Sequence, residues 1–226
     1  MNLAKPALDI GLFTTRPDAH RAFWEGELGL AFNHVLPMGP GHKQHRFDLP
    51  GGSVLKVNAV SELTRSPPSG YRRLVIIREG LAEPVNLADP DGNEVTLAAP
   101  GYLGMSQIGV IMGVRNRARC RAFYGKVLGL APGRPADSFR VGESLIQLTP
   151  DPDAVRDVAI RGPGYRYTTL QVFDCEAEHE AVLARGGTQG ARPFRAGDVA
   201  IFSMVRDPDG NWIELSQRAS IVGALR

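Results

Sequence analysis

The stretch Asp207-Pro-Asp-Gly-Asn-Trp-Ile-Glu-Leu215 combines a rigid turn with a carboxylate. In Asp-Pro-Asp-Gly-Asn, proline fixes φ, glycine supplies a positive φ, and the Asp and Asn side chains bond nearby backbone amides. Strand chemistry follows: Ile213 and Leu215 take one face of a sheet, Trp212 and Glu214 the other. A carboxylate beside tryptophan, held by a short turn, is suited to act as a general base. The alternative is a solvent-facing glutamate on an edge strand.

The elements that must position Glu214 occur twice. The turn recurs as Asp89-Pro-Asp-Gly-Asn-Glu-Val-Thr-Leu97, 118 residues earlier. A helical segment, Arg21-Ala-Phe-Trp-Glu-Gly-Glu-Leu-Gly-Leu-Ala31, matches Arg121-Ala-Phe-Tyr-Gly-Lys-Val-Leu-Gly-Leu-Ala131 at seven of eleven positions, 100 residues apart. The chain is therefore a tandem repeat whose second copy is 18 residues longer between landmarks, with the boundary near Ala99-Pro100-Gly101. In the first copy, alternation predicts a strand over 7–14, a helix from Pro17 to about Leu28 stopped by Gly29, and short strands near 31–37, 43–49 and 53–59. Arg72 to Arg78 reads as a strand. Glu79-Gly-Leu-Ala-Glu-Pro84 then leads almost directly to Val85, with no room for a helix. In the second copy the same reading gives strands at 107–114, 131–135, 138–141, 144–149, 167–174, 191–195, 199–206 and 212–216. Its helices fall at 116–128 and 176–184.

Composition narrows the function classes. Hydrophobic content of 43%, charged content of 22% and a net charge of +2 describe an ordinary globular chain with no basic patch for nucleic acid. No apolar run is long enough to span a bilayer, and Pro6 and Asp9 sit where a signal peptide needs an apolar core. The expected location is cytoplasmic. The expected partner is a small molecule, with neither nucleic acid nor membrane, and a homodimer is allowed. Cys120 and Cys175 match no metal spacing and read as reduced packing residues.

A strand, a helix ending in Phe-Tyr-x-x-x-Leu-Gly-Leu, three strands and then Asp-Pro-Asp-Gly-Asn-x-x-Glu-Leu resemble the vicinal oxygen chelate superfamily. That group contains glyoxalases, bleomycin-resistance proteins and extradiol dioxygenases. The resemblance covers nearly the whole chain and implies an α+β fold of tandem βαβββ modules in two cupped mixed sheets, with the first repeat degenerate. It implies a domain at 1–100 that lacks one helix, and a domain at 101–226 that carries the site.

Metal-binding members place ligands on the first and last strands of two paired modules. Carried onto the second half, these positions fall on Gln107, Gln147, Tyr167 and Glu214, with a two-residue shift allowed at Tyr167. Oxygen donors of this kind suit Mn²⁺ or Mg²⁺ better than Fe²⁺ or Zn²⁺. Carried onto the first half, they fall on Asp9, Lys56, Arg73 and Thr96. Two cations there cannot ligate a metal, so Asp9 with Lys56 or Arg73 reads as an internal ion pair and the first half as structural. None of the five histidines falls at a ligand position, which disfavours ring-cleaving dioxygenase chemistry. Within the pocket, Glu214 is the expected base and Tyr167 an acid or oxyanion donor. Arg166 would hold a carboxylate if turned inward. Trp212, Phe202 and Tyr124 would form an aromatic wall, although packing is the commoner role for such residues. The leading expectation is proton transfer, isomerisation or lyase chemistry on a small oxygenated or aromatic metabolite, and the rival is a drug-sequestering protein.

Overall fold

The structure is a computed structural model and describes residues 1–225. The chain reads as four modules. The first contains β1 (Leu3–Thr14), α1 (Pro17–Arg21), β2 (Phe32–Gly39), β3 (His42–Asp48) and β4 (Val54–Val60). The second has only β5 (Tyr71–Ile77), β6 (Val85–Ala88) and β7 (Glu94–Ala98), so the helix that Gly80 and Pro84 leave no room for is absent. The third contains β8 (Ile108–Val114), α2 (Arg117–Ala122), β9 (Ala131–Pro132), β10 (Ser138–Val141) and β11 (Ser144–Pro150). The fourth contains β12 (Gly164–Val172), α3 (Cys175–Ala184), β13 (Thr188–Ala196), β14 (Ala200–Arg206) and β15 (Trp212–Arg218).

The modules do not pair within their own halves. One sheet runs β13-β14-β15-β12-β1-β4-β3-β2 and joins the fourth module to the first. The other runs β6-β7-β5-β8-β11-β10-β9 and joins the second to the third. Each sheet therefore contains strands from both halves. The seams are antiparallel: Asp9 lies opposite Thr169 on β1 and β12, and Val75 opposite Gly109 on β5 and β8. Apolar residues at alternate positions, such as Leu8, Ile10 and Leu12 on β1 and Leu74 and Ile76 on β5, join one core with the helices.

The turns hold each half together across this exchange. Asp207 is buried, and its carboxylate accepts from the amides of Asp209 and Asn211 (both 2.9 Å), from Asn211 Nδ2 (3.0 Å) and from the Tyr124 hydroxyl (3.1 Å). Asp89 makes the matching turn bonds to Asp91 and Asn93. On that side the helix contact comes from His20, which accepts from Trp24 Nε1 at 3.1 Å and meets Asp91 at 2.9 Å. Both helices end in π turns, Ala22–Glu27 and Phe123–Val127, and these carry Trp24 and Tyr124. Each turn thus docks on the helix of its own half.

The two cups differ in content. In the β5–β8 sheet, Val75, Ile77, Ala98 and Leu145 pack around Met105 from the linker. A Cβ at Gly109 would lie 2.2 Å from Met105 Sδ, so glycine is required for this side chain to fill the cup. The β1–β12 sheet instead leaves an open cavity with Lys56, Glu214, Gln44 and Arg218 among its lining residues.

Replacing Asp207 with Ala strands four donors in a buried turn. We expect a loss of about 3 kcal/mol in urea unfolding, against about 1 kcal/mol for Tyr124→Phe, which removes one bond. Equal losses from the two variants would show that the turn does not depend on the carboxylate.

Candidate functional site

Four strands bring one residue each to the floor of the open cup. Parallel pairing sets Lys56 of β4 opposite Gly11 of β1, and Glu214 of β15 opposite Thr169 of β12. Asp9 lies opposite Thr169 across the seam. The curl of the sheet then lets Lys56 reach across β1 and β12. Its Nζ lies 2.6 Å from Thr169 Oγ1, 2.8 Å from Glu214 Oε1 and 3.9 Å from Asp9 Oδ2. Asp9, fully buried, also accepts from Lys5 Nζ (2.6 Å), the Val54 amide (3.0 Å) and Gln171 Nε2 (3.2 Å). Burial pushes the Lys56 amine below the ordinary lysine range, while Glu214 and Asp9 oppose that shift.

Tyr167 lies deeper. A Cβ at Gly11 would come within 2.1 Å of its ring, so the glycine makes room for it. Its hydroxyl accepts from Asn58 Nδ2 at 3.0 Å and from Gln44 Nε2 at 3.4 Å. Burial holds the phenol well above the ordinary tyrosine range, so it stays protonated. Above the floor is a cavity of about 360 Å³. Lys56, Glu214, Gln44 and Arg218 form its polar end; Leu36, Met38, Phe194, Val199 and Phe202 form an apolar mouth. Phe194 and Phe202 pack against each other with ring centroids 5.5 Å apart and planes tilted by 59°.

The residues expected from sequence divide accordingly. Glu214 and Phe202 line the cavity, and Tyr167 lies beneath it. Gln107 and Gln147 do not join them: Gln147 lies on β11 of the other sheet, and Gln107 immediately precedes β8. The Gln107–Gln147–Glu214 metal set therefore does not assemble, because the modules pair across the halves. Arg166 does not turn inward; its guanidinium donates to the carbonyls of Pro163 (2.6 and 2.9 Å) and Pro67 (2.9 Å), tying two loops. Tyr124 is used by the Asp207 turn. Trp212 shares the face of Glu214 but donates to the Val158 carbonyl at 2.7 Å and carries Arg206 on its ring at 3.9 Å. It is a packing wall.

Asp9 and Lys56 form the internal ion pair expected from sequence, at 3.9 Å, but they also belong to the site, as do Gln44 and Arg218, and the sequence reading gives none of the four that role. The signal was present: an acid and a base of the first half stood at ligand positions, and reading them against Glu214 required only the cross-half pairing. With that pairing, the first-strand and last-strand positions become Asp9, Lys56, Thr169 and Glu214, the two-residue shift taking Tyr167 to Thr169. These residues do not fit a divalent cation. Three donate oxygen, but the fourth is an ammonium lying among them, and no cluster of three or more His, Cys, Asp or Glu suited to a metal occurs among the described residues. No helix among them is long and apolar enough to cross a membrane.

Comparison with known proteins agrees with this architecture. Residues 107–215 match the family model described as Glyoxalase/Bleomycin resistance protein/Dioxygenase superfamily. Glyoxalase I from Zea mays superposes with a TM-score of 0.71 at 15% identity, covering 96% of this chain and 92% of that one. A candidate dioxygenase from Bacillus subtilis gives 0.72 at 11% identity, covering 96% and 86%. The cppA protein from Streptococcus pneumoniae gives 0.60 at 9% identity, covering 96% and 100%. At these identities the likeness concerns the fold. No curated protein sequence matches significantly.

The buried cluster makes a stability prediction. Lys56→Met leaves Asp9 and Glu214 facing each other without their shared cation, and should cost about 3–5 kcal/mol in denaturant unfolding. Glu214→Gln leaves Lys56 with Thr169 and Asp9 and should cost clearly less. A Lys56→Met variant as stable as the parent would show that the ammonium does not hold the cup together.

Proposed function

We propose, for a chain whose residues 107–215 belong to the glyoxalase, bleomycin-resistance and dioxygenase superfamily, that the cup between the first and fourth modules is an enzyme site. It binds a small oxygenated or aromatic metabolite and moves a proton on it without a divalent metal. The observation that carries this reading is the contact of 2.8 Å between Lys56 Nζ and Glu214 Oε1 at the polar end of a cavity with an apolar mouth. A carboxylate and an ammonium fixed side by side can divide the work of enolisation. Glu214 takes a proton from carbon next to a carbonyl through Oε2, the oxygen not bonded to Lys56. The negative charge that develops on the carbonyl oxygen is met by an N–H of Lys56. Return of the proton from Glu214 to a different carbon completes an isomerisation; loss of a β-substituent from the enolate completes an elimination. Burial lowers the affinity of Lys56 for its proton, which suits a group that donates strongly to a developing oxyanion.

A metal would otherwise supply that electrophile. In this reading Lys56 does so, and the Mn²⁺ or Mg²⁺ expected from oxygen donors has no place in the mechanism. A ring-cleaving dioxygenase is disfavoured on donor chemistry, since none of the histidines lines the cavity. A second reading, sequestration without turnover, is favoured by the mouth. Phe194 and Val199 are 60% and 57% exposed there, an apolar surface ready to receive a ligand.

Proton exchange separates the two. In D₂O, the protein should accelerate deuterium uptake at the benzylic carbon of an enolisable benzyl ketone such as phenylpyruvate or phenylacetone. Glu214→Gln should reduce that rate by about 10²–10⁴-fold, and EDTA should leave it unchanged. Saturable binding with no exchange on either probe would establish the sequestering reading, and loss of exchange in EDTA would overturn the metal-free one.

A further inference from the structure

Counting charge in the cup leaves a remainder. Its two carboxylates are each matched by a lysine: Asp9 by Lys5 at 2.6 Å and Glu214 by Lys56 at 2.8 Å. Two arginines are left over. Arg46 is buried on β3, opposite Lys56 in register; it does not line the cavity itself, but its guanidinium donates to Oε1 of the cavity-lining, neutral Gln44 at 3.0 Å. Arg218 lines the cavity from the end of β15, two steps along the same face beyond Ser216 and four beyond Glu214. Its Nε is buried and makes no hydrogen bond. Neither arginine forms an ion pair with an acidic side chain among the described residues. Burial and then the charge of Arg46 pull Arg218 below the ordinary arginine range, while Glu214 and Asp9, already engaged by lysines, oppose the shift.

Two like charges held together in a partly desolvated cup are unfavourable unless something neutralises them. A guanidinium presents a planar fork of N–H donors that fits a carboxylate on two bonds. The rest of the cavity wall is apolar, with Leu36, Met38, Phe194 and Phe202 beyond the charged end. We infer that Arg218, with the buried Arg46 behind Gln44, forms a cradle for an anionic group, and that the cognate ligand is an organic acid with an apolar or aromatic body. The carboxylate sits against the Arg218 guanidinium in the positive field that Arg46 adds, the body lies toward Phe194 and Phe202, and the atoms nearest the carboxylate face Lys56 and Glu214. The inference rests on the cup being the ligand site, and it narrows the substrate class to acids.

A matched pair of probes tests both levels separately. Isothermal titration with 4-phenylbutanoate and its neutral isostere 4-phenylbutanamide measures the preference for charge at constant shape. The parent protein should bind the acid at least tenfold more tightly than the amide. Arg218→Met should lower acid affinity by about ten- to a hundredfold, as expected for a charge-assisted bond, with little effect on the amide. The pair Arg46→Met and Arg218→Met should abolish the preference. Equal affinity of the parent for both probes would overturn the cradle while leaving the cup as a ligand site. So would a preference that survives Arg218→Met, which needs no buried side chain replaced by a larger one and stands alone if the Arg46 variant does not fold. Binding of neither probe would overturn the cup itself as a site for apolar small molecules, and the cradle with it.

Discussion

A buried ammonium must be surrounded by oxygen, and the architecture around Lys56 meets that requirement. No single module could supply it. Thr169 and Glu214 come from the fourth module, Asp9 and Lys56 from the first, and the sheet must curl so that β4 and β15 approach across two intervening strands. The antiparallel seam between β1 and β12 fixes which residues share the floor, since a slip of one residue would turn the whole polar set away from the cup. Stability alone does not account for the cluster. Replacing such a pair by apolar side chains is often neutral or better, and the other cup is built that way, with Met105 as its filling.

The exchange of modules between halves has a physical counterpart in the turns. Asp207 holds Tyr124 of α2's π turn, and Asp91 holds His20 of α1, so turn and helix stay within one half while the sheets do not. The two kinds of contact lie on different surfaces of each module. The helix packs into the core and the seam strand pairs along its edge, so both can be satisfied at once. One result is a single core shared by all four modules. Another is that each cup draws its floor from both copies, which allows one cup to become polar and the other to close.

Much of this was legible in the sequence. The repeat, the Asp-Pro-Asp-Gly-Asn turns, the alternation of Trp212 to Leu215 and the missing helix after Arg78 are local features, set by turn chemistry and periodicity, and the structure carries each of them. The partner of each module is not local. Both halves present the same seam strand, so hydrophobic alternation is equally satisfied by pairing within a half or across. Pairing within a half places Gln107 and Gln147 near Glu214 and keeps Asp9 and Lys56 away from it. In that arrangement Lys56 has no part in the site, because an ammonium cannot ligate a metal. Pairing across the halves sets the ammonium among the ligand positions, where it takes the cation's place. Arg166 and Tyr124 were misplaced for a different reason, because their roles are bonds to a loop carbonyl and to a turn carboxylate that no periodicity announces.

The central claim is that Lys56 is a charged, shielded ammonium held by Glu214, Thr169 and Asp9. Nitrogen-15 NMR of protein labelled at lysine Nζ observes it directly. At neutral pH the account predicts one Nζ signal whose three hydrogens exchange slowly enough with water to be resolved, which disappears in Lys56→Arg and shifts in Glu214→Gln. A spectrum in which every lysine exchanges like a surface side chain, or in which the shielded signal does not respond to Glu214→Gln, would contradict it.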